Sequence, residues 1–273
     1  MTLEFAKMTG AGNDFVVIDD MTNAVGEDAR ELAKQLCRRR LSVGADGLIL
    51  IVPSRDHDFR MRYFNADGSE ADMCGNGGRC AARFATELGI ATGSMTFESR
   101  SGVHRAEIIG TDDVKLVMTE PRAMILNVDI PLAGNRLTVH RINTGVPHAI
   151  HEVEDLDEFP VVSVGRLIRG HTEFMPDGTN ADFVRLGDEH TISIRTYERG
   201  VEDETLACGT GAVAAALVMS ALGKVRPPVT VETRGGWPLT VGFYMSDLGF
   251  CDVSLSGEAR IVFRGRLDQS GNQ

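Results

Sequence analysis

Two short stretches carry residues whose types and spacing suit chemistry: Cys74-Gly75-Asn76-Gly77 and Cys208-Gly209-Thr210-Gly211. In each, a cysteine precedes Gly-x-Gly, an alanine-rich run follows, and a glycine, Gly89 or Gly223, closes the run. That order predicts a helix ending in a C′ glycine, with the cysteine at the helix N-terminus. The positive end of a helix favours a thiolate there. The bare N–H groups left by the glycines suit a carboxylate or a phosphate. One such helix would point to a nucleophile, whereas two point to a symmetrical device. An amino acid held by its α-carboxylate between two sulfurs could lose its α-proton to one and regain a proton from the other on the opposite face. Charge developing on the carboxylate would meet fixed N–H donors, and the α-carbon would be inverted.

The two stretches lie 134 residues apart, and the same offset relates Tyr63 to Tyr197, Gly89 to Gly223 and the run 97–102 to 231–236. Thr9-Gly10 is answered by Thr144-Gly145 one residue further on, which makes His148 the counterpart of the Asn13-Asp14 turn. The period is too long for a solenoid and reads as duplication of a whole domain. A pseudo-twofold axis would set the two helix N-termini face to face across a crevice. Taken singly, each Cys-Gly-x-Gly is more often a packing device. Their symmetry and the polar residues around them reverse that preference.

The elements that must position these residues are legible in part. Residues 3–19 read as two strands around a glycine turn, 27–40 as an amphipathic helix whose Arg38-Arg39-Arg40 end is a solvated face, and 47–52 as a buried strand. On the first cysteine helix Cys80, Phe84 and Leu88 share a core face, and Arg79, Arg83 and Glu87 share another. The acidic run 152–158 suggests a solvated helix start, 164–172 a short helix, and 212–222 a helix apolar on every side and therefore buried. Many short strands with one central helix per half predict an α+β fold of mostly antiparallel sheets. The expected halves are 1–120 and 121–261.

With 273 residues the chain is long enough for two cores. A net charge of -11 argues against nucleic acid or an anionic membrane as partner. No apolar run is long enough to cross a bilayer and the N-terminus has no signal pattern, so a cytoplasmic protein is expected. The five cysteines follow no disulfide framework. Cys37 and Cys251 are expected as buried small hydrophobes. Five residues separate Cys74 from Cys80, which fits neither a Cys-x-x-Cys redox motif nor zinc spacing.

Gly10-Ala11-Gly12-Asn13-Asp14-Phe15, Asn65-Ala66-Asp67-Gly68-Ser69-Glu70, the two cysteine motifs and Glu198-Arg199-Gly200 together closely resemble the diaminopimelate epimerase family, in the right order over nearly the whole chain. The resemblance implies two homologous domains, each a mixed, mostly antiparallel sheet wrapped around a central helix, with the last strand, 262–273, returning to the first domain. It implies interconversion of LL- and meso-diaminopimelate on the route to lysine and peptidoglycan, with no cofactor, no metal ion and a homodimeric assembly. Cys74 and Cys208 would be acid and base, with His148 and Glu198 as electrostatic helpers beside them. Gly75, Asn76, Gly209 and Thr210 would bind the reacting carboxylate. Asn13, Asn65, Asn180, Glu198 and Arg199 would contact the substrate, a guanidinium being well suited to the distal carboxylate. Two positions depart from the pattern of some members: Val146 replaces an asparagine and Gly47 a glutamine, each removing a hydrogen bond from the expected site.

Overall fold

β-branched and aromatic runs punctuated by glycine build most of this chain into strands. The computed structural model describes residues 2–132, 134–246 and 249–268. Contacts group Val117–Ser256 into one compact unit and the residues on either side of it into another.

In the outer unit, here unit 1, β1 (Thr2–Gly10) and β2 (Asn13–Asp19) form a hairpin through Ala11 and Gly12. Both turn residues have positive φ, 46° and 94°, the turn type whose twist matches that of the strands. A crossover through α1 (Ala29–Leu36) leads to β3 (Gly47–Val52), parallel to β2, and β4 (Phe59–Asn65) returns antiparallel. The short β5 (Glu70–Ala71) and then α2 (Gly75–Glu87) form a second crossover to β6 (Ser94–Ser99), parallel to β4. β7 (Gly102–Ile108) and β8 (Asp113–Val117) follow as hairpins. The strand Arg260–Asp268 pairs antiparallel with β1 on the side away from β2.

Unit 2 repeats this order. β9 (Arg122–Leu132) lies antiparallel to β10 (Asn135–Asn143), which pairs with β11 (Pro147–Glu152). α3 (Val161–Arg169) crosses over to β12 (Asn180–Leu186), parallel to β11, and β13 (Thr191–Glu198) returns antiparallel. β14 (Asp203–Thr205) and α4 (Gly209–Ala221) cross over to β15 (Val229–Thr233), parallel to β13, and β16 (Pro238–Ser246) and β17 (Gly249–Glu258) close the unit. β9 thus holds beside β10 the place that the final strand, β18 (Arg260–Asp268), holds beside β1. Among the described residues each unit has two parallel pairs beside its antiparallel ones, the α+β architecture expected from the sequence. The last strand begins at Arg260, two residues before the expected start of the returning segment, and 269–273 lie outside the described residues.

The two central helices are built alike. Gly89 and Gly223 have φ of +71° and +73°. Each closes its helix with a Schellman pair: Ile90 N to Ala85 O and Gly89 N to Thr86 O, both 3.0 Å, and Lys224 N to Met219 O and Gly223 N to Ser220 O, both 2.9 Å. α4 is buried from Gly211 through Ser220, because a helix apolar all round has no face to give to water. On the opposite face of each sheet lies a second core, under α1 with Val16, Ile18, Leu48 and Leu50, and under α3 with Ile130, Val139, Phe183 and Tyr197.

Several local expectations differ from the structure. α1 ends at Leu36, so Arg38–40 lie beyond it. Arg38–40 are exposed as expected, and Arg39, while still open to solvent, also pairs with Asp14 at 2.6 Å and Asp46 at 2.7 Å. The acidic run does not start a helix. It follows β11 as a loop, and α3 begins after Pro160 at Val161, three residues before the expected start. Cys251 is half-buried on β17, where a sheet face is only partly covered, while Cys37 is buried as expected.

Candidate active site

In unit 1, Cys74 is the extended N-cap of α2, with φ -133° and ψ 122°, and its sulfur accepts the N–H of Gly77 at 3.5 Å. A Cβ on Gly75 would meet nothing within 4 Å, so the backbone of that residue stands open to a ligand. The next residue, Asn76, is buried and donates Nδ2 to Asn13 Oδ1 at 2.7 Å. Asn13 in turn donates Nδ2 to Asp46 Oδ2 at 2.9 Å. A charge cluster anchors this end: Lys7 and Arg39 both pair with Asp14, and Lys7 also donates to Gly44 O. Burial alone would raise the Asp14 pKa, but hydrogen bonds from Arg39 and Lys7 outweigh it and hold the carboxylate below its usual range. Asn65, at the end of β4, donates to Ser69 Oγ at 3.0 Å within its own turn. Arg79, on the helix face it shares with Arg83 and Glu87, is fully buried and donates Nη2 to Asn76 Oδ1 at 2.7 Å. Arg83 and Glu87 on the same face pair at 3.0 Å, both partly exposed.

In unit 2, Cys208 is the corresponding extended N-cap of α4, with φ -117° and ψ 111°. Its Sγ lies 3.5 Å from the Thr210 hydroxyl, and that hydroxyl lies 3.0 Å from His148 Nε2. His148 Nδ1 is 2.7 Å from Asp182 Oδ2, with both side chains sealed from solvent, and Thr196 Oγ1 donates to Asp182 Oδ1 at 2.8 Å. The result is a linked row, Thr196–Asp182–His148–Thr210–Cys208. Thr144 pins its loop to this row by donating Oγ1 to Thr210 O at 3.0 Å. Gly211 is the residue that lets Asp182 approach, because a Cβ there would stand 2.5 Å from Asp182 Oδ1.

The electrostatics of Cys208 correct a sequence expectation. A helix N-cap was expected to lower the thiol pKa, yet burial, then the carboxylates of Glu198 and Asp182, push it well up. Desolvation and two neighbouring anions outweigh the helix terminus, so Cys208 rests as the thiol. Burial also raises the Glu198 carboxyl, with Asp182 adding to the shift and His148 opposing it. Asn180 and Arg199 meet here too. Asn180 donates Nδ2 to Pro147 O at 3.1 Å and accepts the Arg199 N–H at 2.8 Å, while the Arg199 guanidinium donates to Asp177 O at 2.8 Å. On the parallel β11–β12 ladder His148 stands opposite Asn180, so a single register places both.

Within unit 1 the structure therefore joins Asn13 to Asn76, and within unit 2 it joins His148, Thr210 and Cys208, with Glu198 close by. Sequence reasoning missed Asp46, Arg79, Thr144, Asp182 and Thr196. Asp182 had a signal, a charge inside the apolar run Ala181-Asp182-Phe183-Val184. The two departures resolve differently. Gly47 is dictated by packing: a Cβ would lie 2.5 Å from the Tyr63 ring and 2.6 Å from Phe64 O, leaving no room for a glutamine. Val146 is half-buried in the turn between β10 and β11, its carbonyl accepting the Thr144 N–H at 3.2 Å. Among the described residues no group of three or more His, Cys, Asp or Glu could hold a metal ion, and no helix is long and apolar enough to cross a membrane.

A family model described as diaminopimelate epimerase matches residues 5–124 and 141–241, which takes in all the residues above. The chain belongs to the diaminopimelate epimerase family. It is 46% identical to the diaminopimelate epimerase of Aquifex aeolicus over 98% of both chains, and 46% identical to that of Chlorobaculum tepidum over 95% of this chain and 99% of that one. Membership makes it an isomerase of the epimerase kind. Solved structures share the fold at low identity. A Bacillus anthracis protein of the PhzF phenazine biosynthesis family superposes with TM-score 0.74 at 17% identity, covering 98% of this chain and 99% of that one. A probable proline racemase of Agrobacterium radiobacter superposes with TM-score 0.71 at 17% identity, covering 98% and 93%.

Proposed function

We propose that this epimerase interconverts LL- and meso-diaminopimelate without a cofactor, with Cys74 and Cys208 as paired acid and base. The observation that carries this reading is that both units cap the same central helix with a cysteine followed by Gly-x-Gly. Inversion at an α-carbon requires one group to remove the proton and a second to supply one on the other face. Two sulfurs on separate helices meet that requirement without recycling a single base. The N–H groups of Gly75, Asn76, Gly209 and Thr210 bind the reacting carboxylate and take up the charge that develops as the α-proton leaves.

Cys208, raised by burial and its carboxylate neighbours, serves first as the donor, and the opposite direction of reaction begins with its proton removed. His148, held by Asp182, orients the Thr210 hydroxyl toward Cys208. Glu198 faces the same thiol. Asn13, Asn65 and Asn180 contact the substrate, and Arg199 takes the distal carboxylate as a bidentate partner. The meso product then serves lysine and peptidoglycan precursor formation.

The test is incubation of the reduced protein with LL-diaminopimelate in D₂O without pyridoxal phosphate, following configuration and α-deuterium together. Meso product carrying α-deuterium is the expected result, and folded protein giving neither conversion nor exchange would overturn the substrate assignment. Cys74→Ala and Cys208→Ala should each lose at least about a thousandfold in kcat, the scale of removing an acid–base group. A near-normal rate in either would remove the two-thiol scheme.

A further inference from the structure

Arg79 has no part in the scheme above, yet it is the largest fully buried side chain of the protein that carries a charge. The offset of the duplication puts Val213 at its place in α4, so one central helix has a cation where the other has an apolar residue. A buried guanidinium presents five N–H donors and is ordinarily met by a carboxylate or by several carbonyls. Arg79 Nη2 bonds the Asn76 amide oxygen, while Nε and Nη1 are buried and have no partner among the described residues. Its positive charge is therefore not neutralised by contact.

Its position follows from helix geometry. Side chains lean toward the helix N-terminus, and the bond to the residue three places earlier sets the guanidinium beside the first turn of α2, which Cys74 caps. Burial lowers the guanidinium pKa, and the titratable groups that favour its charge are first the Cys80 thiol, then the Cys74 thiol and, from β8, Asp113, while Glu258 of β17 acts on Cys80. Arg79 also begins a directed relay. A guanidinium can only donate and the Asp46 carboxylate can only accept, so the amides of Asn76 and Asn13 between them are held in one orientation, each with one N–H left over for a ligand.

We propose that Arg79 is a positioning residue of the epimerase reaction: it fixes the amides of Asn76 and Asn13, and its unneutralised charge favours the thiolate form of Cys74. The inference rests on the two-thiol reading. It makes the two sulfurs unlike at rest, since Cys74 has a buried cation beside it and Cys208 has two carboxylates.

The test uses the full chain and three forms of it, the parent, Arg79→Met and Arg79→Lys, with folding checked by thermal melting. Alkylation of each cysteine by iodoacetamide is followed against pH by peptide mass spectrometry, alongside kcat and KM for diaminopimelate. In the parent, Cys74 should react with a lower midpoint than Cys208. Arg79→Met should raise the Cys74 midpoint by at least about one pH unit, the effect of losing a nearby opposite charge, and lower kcat about tenfold or more with a smaller change in KM. Arg79→Lys, which keeps the charge, should hold the Cys74 midpoint near that of the parent. A folded Arg79→Met with an unmoved midpoint overturns the proposal even if kcat falls, because that is what a purely structural arginine would give. Should Arg79→Met fail to fold, the parent still decides, and a Cys208 midpoint at or below that of Cys74 overturns it. Full activity in Cys74→Ala would instead defeat the two-thiol reading itself.

Discussion

Gly211→Ala tests the packing behind Cys208 most directly. The added Cβ would lie 2.5 Å from Asp182 Oδ1 and 3.3 Å from both Thr196 Oγ1 and the Cys208 Cβ. Carbon and oxygen in contact prefer a separation of about 3.3 Å, so the overlap is about 0.8 Å. Asp182 cannot absorb that shift at rest, being held by His148 at 2.7 Å and Thr196 at 2.8 Å. Displacing it stretches at least one of these bonds to about 3.5 Å, the edge of hydrogen-bond range. Losing a bond to a buried carboxylate costs about 1.5–3 kcal/mol, and overpacking adds about 1–3 kcal/mol. Alanine in place of glycine returns about 1 kcal/mol of helix propensity. The expected net loss is about 1.5–5 kcal/mol in urea unfolding followed by circular dichroism, together with a lower kcat as His148 loses its anchor. Gly75→Ala is the control. It meets open space and should leave stability within about 0.5 kcal/mol of the parent. Gly211→Ala unfolding at the same urea concentration as the parent, or higher, would refute the account of why glycine stands there.

Two further expectations concern thiols and packing. Burial pushes the Cys37 thiol up to about 11 and the Cys80 thiol up to about 12, and burial with two carboxylates raises Cys208. The folded chain keeps these protons after the unfolded chain has lost them, so the stability they contribute is complete below the unfolded thiol pKa and is lost as pH rises through the folded values. The unfolding free energy should therefore fall above about pH 9, by up to about 1.4 kcal/mol per pH unit for each such thiol. Cys37→Val should make the fall shallower, and a flat profile between about pH 9 and 10.5 would contradict the burial argument. Gly47→Gln, at a place where a Cβ meets the Phe64 carbonyl at 2.6 Å, should destabilise by about 2 kcal/mol or more. Parent-like stability with tighter substrate binding would show that the glycine marks a lost contact rather than a packed one.

Much of the fold was legible because it depends on local pattern. The Gly-x-Gly after each cysteine, the alanine-rich run and the closing glycine determine a capped helix wherever they occur, and both helices form with the same Schellman closure. The repeat of Tyr63 in Tyr197 and of Gly89 in Gly223 foretold two like units, and the pairing order of the strands repeats accordingly. Less legible was anything that hung on which surface a neighbour would cover. Arg79 shares a helical stripe with Arg83 and Glu87, and spacing alone assigns that stripe no burial. Only the sheet packed over that side of α2 puts it inside. Arg39 is one cation of an exposed trio, as its spacing suggests, but its pairing with Asp14 and Asp46 depends on strands that only the fold brings to it.

The sequence by itself determined where the two cysteines stand, at the starts of two equivalent helices, because capping and periodicity act within a few residues. Tertiary structure alone decided their surroundings. Asp182 reaches His148 across 34 residues and Thr210 reaches it across 62, through a parallel strand register and a crossover that no local pattern encodes. Burial and neighbouring charge, which set the protonation of a sulfur, are properties of what the fold brings within a few ångströms. A helix terminus favours a thiolate at each cap, and at Cys208 the fold reverses that preference with desolvation and two carboxylates.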